Sequence, residues 1–382
     1  VPPIFKAALS MHTLPLAHPE LTAWLRLTAT QHVSRRAARA WLAAFGLPQQ
    51  ILAAGHAALA EVAGAAAATA LLKQPGSELA KQHAMVLDWL AQPGNQVVTL
   101  ADPAYPRTLL EGGDPPLLLY AKGRLDLLHA PALAIVGSRH ASPQGLATAR
   151  AFASELGAAG LTIISGLALG IDAAAHEGAL DTSGGTVAVI GTGADLVYPA
   201  RHHALAQRLA QHGTLISEWP LGTPARKAHF PQRNRLIAGL ARGVFVVEAA
   251  SQSGSLITAR LAGEMGRDVY AMPGSIHSAL TKGCHRLIKD GAKLVESVAD
   301  ILEELGPPVP VCQKTTAPAV FSGDALAALS ALGHDRAAPD LLAKRTGLSA
   351  SRLQAALLEL ELGGAIAPLP CGRVEPFAGG VP

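Results

Sequence analysis

The stretch LAIVGSRHASPQGLATARAFASELGAAGLTIISG, residues 133–166, decides the fold. It begins and ends with continuous apolar, β-rich runs, LAIVG (133–137) and LTIIS (161–165), separated by a segment of helix length. Strands that are apolar throughout are buried on both faces, and a helical spacer between two of them implies a parallel pair joined by a right-handed crossover. The alternation continues through TVAVIG (186–191), TLIS (214–217), GVFVVE (243–248) and DVYAM (268–272), with a last strand at KLV (293–295). The pattern predicts an α/β fold with a doubly wound parallel sheet. Its ligand belongs beyond the carboxyl ends of the strands, near the point where strand order reverses.

Outside this region the periodicity changes. LTAWLRLTAT (21–30), SRRAARAWLAAFG (34–46), PQQILAAG (48–55) and SELAKQHAMVLDWLA (77–91) carry apolar residues at three- and four-residue spacing, which predicts a small all-helical module. The Ala-rich patch 65–70 reads as a packed helix. Residues 96–123 hold two short apolar runs broken by Pro and Gly turns. A Pro-rich break at 306–318 reads as a linker, and beyond it three helices with a turn at Thr346 to Ser349 and a short hairpin outline a winged helix. The expected domains are therefore 1–90 (helical), 91–305 (sheet), 306–320 (linker) and 321–382 (winged-helix-like).

With 382 residues, 49% of them hydrophobic, the chain can bury a large core, and only 4% aromatic residues favour helices packed on a sheet. Three cysteines without metal-ligand spacing argue against a disulfide framework and for a reducing cytoplasm. The segment VPPIFKAALSMHTL (1–14) lacks the pattern of a signal peptide, so the reading is a soluble protein without a membrane span. No cofactor or metal site is expected.

The chemistry concentrates at the strand ends. After the first strand, VGSRHASPQG (136–145) lacks GxGxxG, which argues against a dinucleotide; Gly137, Ser138 and Arg139 form a strand-to-helix turn able to hold a phosphate, or an arginine that satisfies a local helix end. Ser165 and Gly166 begin a second turn, followed by Asp172 and His176 on one helical face. Without a nucleophile or third ligand, these read as a capping and hydrogen-bonding pair.

RKAHFPQRNR (226–235) places four cations, one His and one Phe in ten positions of a chain whose net charge is +3. Arg226 and Lys227 fall in a loop, Pro231 in the first turn of a helix, and Arg233 and Arg235 in its opening turns. Cations there oppose the helix dipole, at a cost of a few tenths to ~1 kcal/mol each, and an anionic ligand would offset it. Ser253, Gly254 and Ser255 precede another helix as either an anion cradle or a serine cap, and Lys282 lies at the next edge. Several cradles with Phe230 and Asn234 between them suit an extended single strand, held by cations and base stacking.

Together VGSR (136–139), SGLALGIDAAAH (165–176), KAHFPQRNRLIAGL (227–240), VVEAASQSGSLITA (246–259) and GCHRLIKDGAKLV (283–295) resemble the DprA (Smf) DNA-processing proteins of natural transformation. The resemblance implies an extended Rossmann-like domain that binds single-stranded DNA, forms a homodimer and helps load the RecA recombinase, without enzymatic activity. Its DNA contacts would fall on Gly137, Ser138, Arg139, Lys227, Phe230, Arg233, Asn234 and Arg235, and its self-association region around Leu287 and Ile288. The helical module resembles the family's SAM or helix-hairpin-helix-like domain, although TATQHVSRRAA (28–38) lacks a Gly-x-Gly hairpin.

Two other classes compete. A nucleotide phosphoribohydrolase would use Glu248 as its acid and 253–255 as its phosphate cradle, but lacks the expected Pro-Gly-Gly-x-Gly-Thr run. A duplex reader would use the winged helix, yet residues 303–382 carry 6 Lys/Arg against 8 acids, whereas 133–302 carry 15 against 12.

Overall fold

The structure, a computed structural model, describes residues 18–306, 322–332, 338–362, 366–368 and 374–376. Residues 1–14, most of the linker, Cys312 and Cys371 lie outside these ranges; Cys284 is a buried free thiol. The chain divides into two compact units, Val1–Val311 and Cys312–Pro382.

The first unit opens with six helices: α1 (His18–Ala29), α2 (Arg35–Phe45), α3 (Pro48–Ala53), α4 (His56–Ala63), α5 (Ala65–Leu72) and α6 (Ser77–Leu90). Strands β1 (Asn95–Thr99) and β2 (Leu118–Gly123) follow, then β3 (Ala132–Val136), α7 (Pro143–Ala158), β4 (Thr162–Ser165), α8 (Ile171–Ala179), β5 (Thr186–Val189), α9 (His203–His212) and β6 (Thr214–Ser217). The remainder is α10 (His229–Leu240), β7 (Gly243–Val246), α11 (Ser255–Glu264), β8 (Asp268–Ala271), α12 (Lys282–Lys289), β9 (Lys293–Leu294) and α13 (Val298–Leu305).

All seven strands read from the apolar runs form one parallel array, within a sheet ordered β1-β2-β6-β5-β4-β3-β7-β8-β9. Successive residues of a strand point to opposite faces, and both faces are covered. Leu133, Ile135, Ile163 and Phe245 pack under α7, α8 and α13, while Ala134, Ile164, Val187 and Val244 pack under α10 and α11. The two apolar runs of 96–123 are β1 and β2, an antiparallel pair that extends the sheet beyond β6. Their outward residues Val97, Leu118 and Tyr120 share a core with Trp24, Trp41 and Trp89 of the helical layer. The 90/91 boundary thus falls inside the first unit. Leu287 and Ile288 of α12 lie half-buried against the sheet core.

The chain winds outward from β3 to β6, then returns through α10 to place β7 on the other side of β3. Strand order reverses between β3 and β7, and the crevice at their carboxyl ends is where this fold places a ligand.

In the second unit, α14 (Gly323–Leu332), α15 (Pro339–Thr346) and α16 (Ala350–Leu362) enclose Ala325, Leu342, Leu353 and Leu360, beside antiparallel β10 (Ile366–Pro368) and β11 (Val374–Pro376). Gly347 adopts the left-handed conformation (φ 70°) that ends α15 at the expected turn. Arg352 on α16 is held by Asp324 through bonds of 2.6 and 2.8 Å.

Candidate nucleic-acid interface

A cavity of about 600 Å³ opens at the β3/β7 crevice. Gly137, Ser138 and Arg139 line it from the β3 turn, Lys227, Phe230, Arg233 and Asn234 from the loop and helix of the basic stretch, and Ser253, Gly254 and Ser255 from the turn before α11. Three segments far apart in sequence converge here because α10 is the crossover that brings β7 next to β3. Arg139, Lys227 and Arg233 outweigh Asp172 among the wall residues, so the cavity is cationic.

Exposed Arg139 lies over the half-buried Phe230 ring, its guanidinium carbon 5.5 Å from the centroid, and Tyr198 approaches the same ring at 5.6 Å. Lys227 is exposed and makes no hydrogen bond or ion pair with any described residue. These groups present a cation and an aromatic face to the same space.

Arg233 has a different occupation. Only 4% exposed, it donates to the carbonyl oxygens of Gly166 (2.6 Å) and Val189 and to Asn234 Oδ1 (3.0 Å). Burial lowers its pKa to about 10, opposed by the attraction of Asp172. A Cβ on Gly166 would lie 2.2 Å from the guanidinium, so glycine is required there for the arginine to reach the strand ends. The charge that seemed to await a ligand is largely answered by protein carbonyls and Asp172. Asn234 donates to the Gly254 carbonyl at 3.3 Å, joining α10 to the turn before α11.

Arg235 points away from the cavity. It pairs with Glu218 and lies 3.7 Å from Asp114; Arg35 and Arg39 of α2 reach the same acids at 2.7–2.8 Å. Burial pushes the Glu218 carboxyl up despite these arginines. The cluster fastens the root and the helical end of the 218–235 segment to the helical layer.

Other expected residues fall behind or beside the cavity. Ser165 is buried and donates to the Ile135 carbonyl at 2.6 Å. Ser253 and Ser255 share a hydroxyl contact of 2.6 Å, with the Ser255 amide 3.4 Å from Ser253 Oγ, a local serine turn on the cavity wall. Arg226 lines a separate cavity, and Lys282 donates to the Ile276 carbonyl outside the first one. Gly137 makes room for α8: a Cβ there would lie 2.5 Å from Ile171 Cγ1.

Asp172 accepts from the amides of Gly166 and Ala168 at 3.2 and 3.3 Å, and burial raises its pKa. His176 is fully buried, with Nδ1 2.7 Å from Thr186 Oγ1, and burial followed by the charge of Arg233 lowers its pKa to about 3. The two are separate hydrogen-bonding groups. Glu248 accepts from the amide (2.9 Å) and hydroxyl (2.5 Å) of Ser142, while Ser142 Oγ accepts from Gly145 N at the start of α7. His140, Tyr198 and Gln252, which the sequence reading did not single out, also line the cavity. Of these, only Tyr198 carried a usable signal, an aromatic residue following a Gly-x-Gly strand end.

Among the described residues no group of His, Cys, Asp and Glu is arranged to hold a metal, and no helix is long and apolar enough to cross a membrane.

A family model described as DNA recombination-mediator protein A matches residues 96–306, and one for the DprA winged helix domain matches 313–372. Protein Smf of Escherichia coli is 42% identical over 76% of this chain and 79% of its own, and the DNA processing protein DprA of Streptococcus pneumoniae is 50% identical over 54% and 73%. The X-ray structure of the S. pneumoniae protein superposes with a TM-score of 0.64 at 38% identity, covering 76% of this chain and 99% of that one. A structure of DNA processing protein A from Helicobacter pylori, described by its single-stranded DNA binding mode, gives 0.51 at 31% identity over 55% and 95%. By the order of its motifs, its sheet topology and these matches, the chain belongs to the DNA recombination-mediator protein A family, the DprA or Smf proteins.

Proposed function

We propose that this protein binds single-stranded DNA in the β3/β7 crevice without acting on it chemically, and passes the strand to a RecA recombinase in the cytoplasm during transformation and recombination. The observation that carries this reading is the meeting of Arg139, Lys227 and Phe230 at one cavity, cations beside a partly open aromatic face. A backbone phosphate takes the cations and an unpaired base takes the ring, whereas in a duplex the base faces are already stacked. The H. pylori structure, described by its single-stranded DNA binding mode, supports the reading by analogy. Homodimerisation through α12, around Leu287 and Ile288, belongs to the same proposal.

The phosphoribohydrolase alternative asks Glu248 to act as an acid. Its carboxylate instead secures Ser142 at the start of α7, so the mediator reading is the better supported. Competition between single-stranded and duplex oligonucleotides of equal length tests it. Preference for the single strand is expected, and equal affinity would contradict the proposal; release of free adenine from AMP in a Glu248-dependent manner would favour the enzyme.

A further inference from the structure

The basic stretch serves two cavities. Lys227 and Phe230 line the first, while Arg226 and His229, each one residue earlier, line a second of about 360 Å³. A cation and a ring three residues later are thus presented twice, in adjacent registers of one short segment, to two different spaces. Side chains one position apart at a loop-to-helix entry diverge, so residues 226–230 form a ridge with a cavity on each side.

The second cavity has nucleotide-compatible chemistry of its own. The His229 ring is stacked on Trp219, with centroids 3.6 Å apart and planes at 14°, and its Nδ1 lies 3.1 Å from the Gly191 carbonyl oxygen. The pair is therefore a fixed aromatic wall. Gln82 of α6 and residues 220–224 complete the surroundings, and among the described residues no carboxylate lines the space. Arg226 is exposed; its carbonyl oxygen accepts from the His229 amide at 3.0 Å, while its guanidinium makes no hydrogen bond or ion pair with any described residue. A base packed against an aromatic wall, with its phosphate at an uncommitted guanidinium, is a recurrent arrangement for single strands.

We infer that this second cavity is a further nucleotide subsite, which takes the part of a single strand that has crossed the 226–230 ridge from the first. The inference rests on the single-strand reading above and extends the footprint along the chain. It gives Arg226, Trp219 and His229 a role in binding longer strands and makes the ridge the register mark between two nucleotide positions.

The test is a length series of oligothymidylates titrated against the full chain and its Arg226→Ala, Lys227→Ala and Trp219→Phe variants, read by anisotropy and tryptophan fluorescence. The penalty of Arg226→Ala should grow with length, to about tenfold once an oligomer spans both cavities, whereas that of Lys227→Ala should be present at every length. Trp24, Trp41 and Trp89 are buried in the helical layer, so quenching that appears only with the longer oligomers and vanishes in Trp219→Phe would place a base at the second cavity. If Lys227→Ala weakens binding while Arg226→Ala matches the wild type at all lengths, the second subsite is overturned and the first stands. A length-independent penalty for Arg226→Ala also overturns it, because both cations would then serve one position. If neither variant weakens binding, the single-strand reading falls as well.

Discussion

The guanidinium of Arg139 sits over the ring of Phe230, 5.5 Å from its centroid, bringing the turn after β3 against the first turn of α10. Attraction between cation and ring is worth about 0.5–1 kcal/mol at an exposed site. A base that stacks on Phe230 must share or replace that contact. Phe230→Ala should therefore weaken single-strand binding by about 1–3 kcal/mol, the worth of one stacked base, while the dependence of affinity on salt stays near the wild-type value. A change in salt slope as large as the change in affinity would mean that the ring acts through phosphate contacts instead.

Arg233, although it lines the same cavity, should behave as a structural residue. Its removal leaves Asp172 without its counter-charge and the Gly166 and Val189 carbonyl oxygens without their donor. Leaving a buried hydrogen-bonding group without its partner costs about 1–3 kcal/mol. Arg233→Ala should lower the urea midpoint by a corresponding amount at neutral pH, whereas Arg139→Ala, at an exposed position, should leave it nearly unchanged. Equal midpoints for the two variants would contradict this division of labour.

The cluster of Arg35, Asp114, Glu218 and Arg235 predicts a binding effect from a residue outside the cavity. Arg35 bonds Glu218 at 2.7 Å and Asp114 at 2.8 Å, tying α2 to the base of the segment that carries Lys227. Arg35→Ala should weaken oligonucleotide binding by about 0.5–1 kcal/mol through misplacement of that segment, with the salt slope unchanged and with partial recovery in Arg35→Lys. A reduced slope would instead place Arg35 on the DNA.

Acid should act on the fold through His176. Its folded pKa of about 3 lies below the ordinary 6.5, so below pH 6.5 the unfolded chain takes up a proton that the folded chain refuses. Stability contributed by this group is complete above pH 6.5 and is lost toward pH 3, at no more than about 1.4 kcal/mol per pH unit. Asp172 and Glu218, whose carboxyls burial pushes up, work in the opposite direction above pH 4. The difference between wild type and His176→Gln isolates the histidine: the stability gap should narrow as pH falls from 6.5 to 5, and a constant gap would contradict the assignment.

The sheet was legible because its evidence is local. Each parallel strand is a run of apolar residues such as LAIVG or GVFVV, and burial on both faces requires that composition wherever the partners are. Strands β1 and β2 were harder, since Pro and Gly interrupt the 96–123 region and their pairing with each other and with β6 is settled by tertiary contacts. The gathering of Arg139, Lys227 and Phe230 followed from sheet topology alone. What the four cations of RKAHFPQRNR do did not: Arg233 finds Gly166, 67 residues away, and Arg235 finds Glu218 and Asp114. No periodicity reveals such partners, so two residues that looked like ligands for a phosphate are bound to the protein itself.

The most direct test of the central claim is the salt dependence of single-strand binding in wild type, Arg139→Ala and Lys227→Ala, measured by anisotropy from low to physiological ionic strength. Each cation that neutralises a phosphate releases counterions, about 0.7 of a unit of slope per contact on a single strand. Weaker binding and a slope shallower by roughly that amount are expected in each variant. Affinities and slopes matching the wild type in both would contradict binding in the β3/β7 crevice.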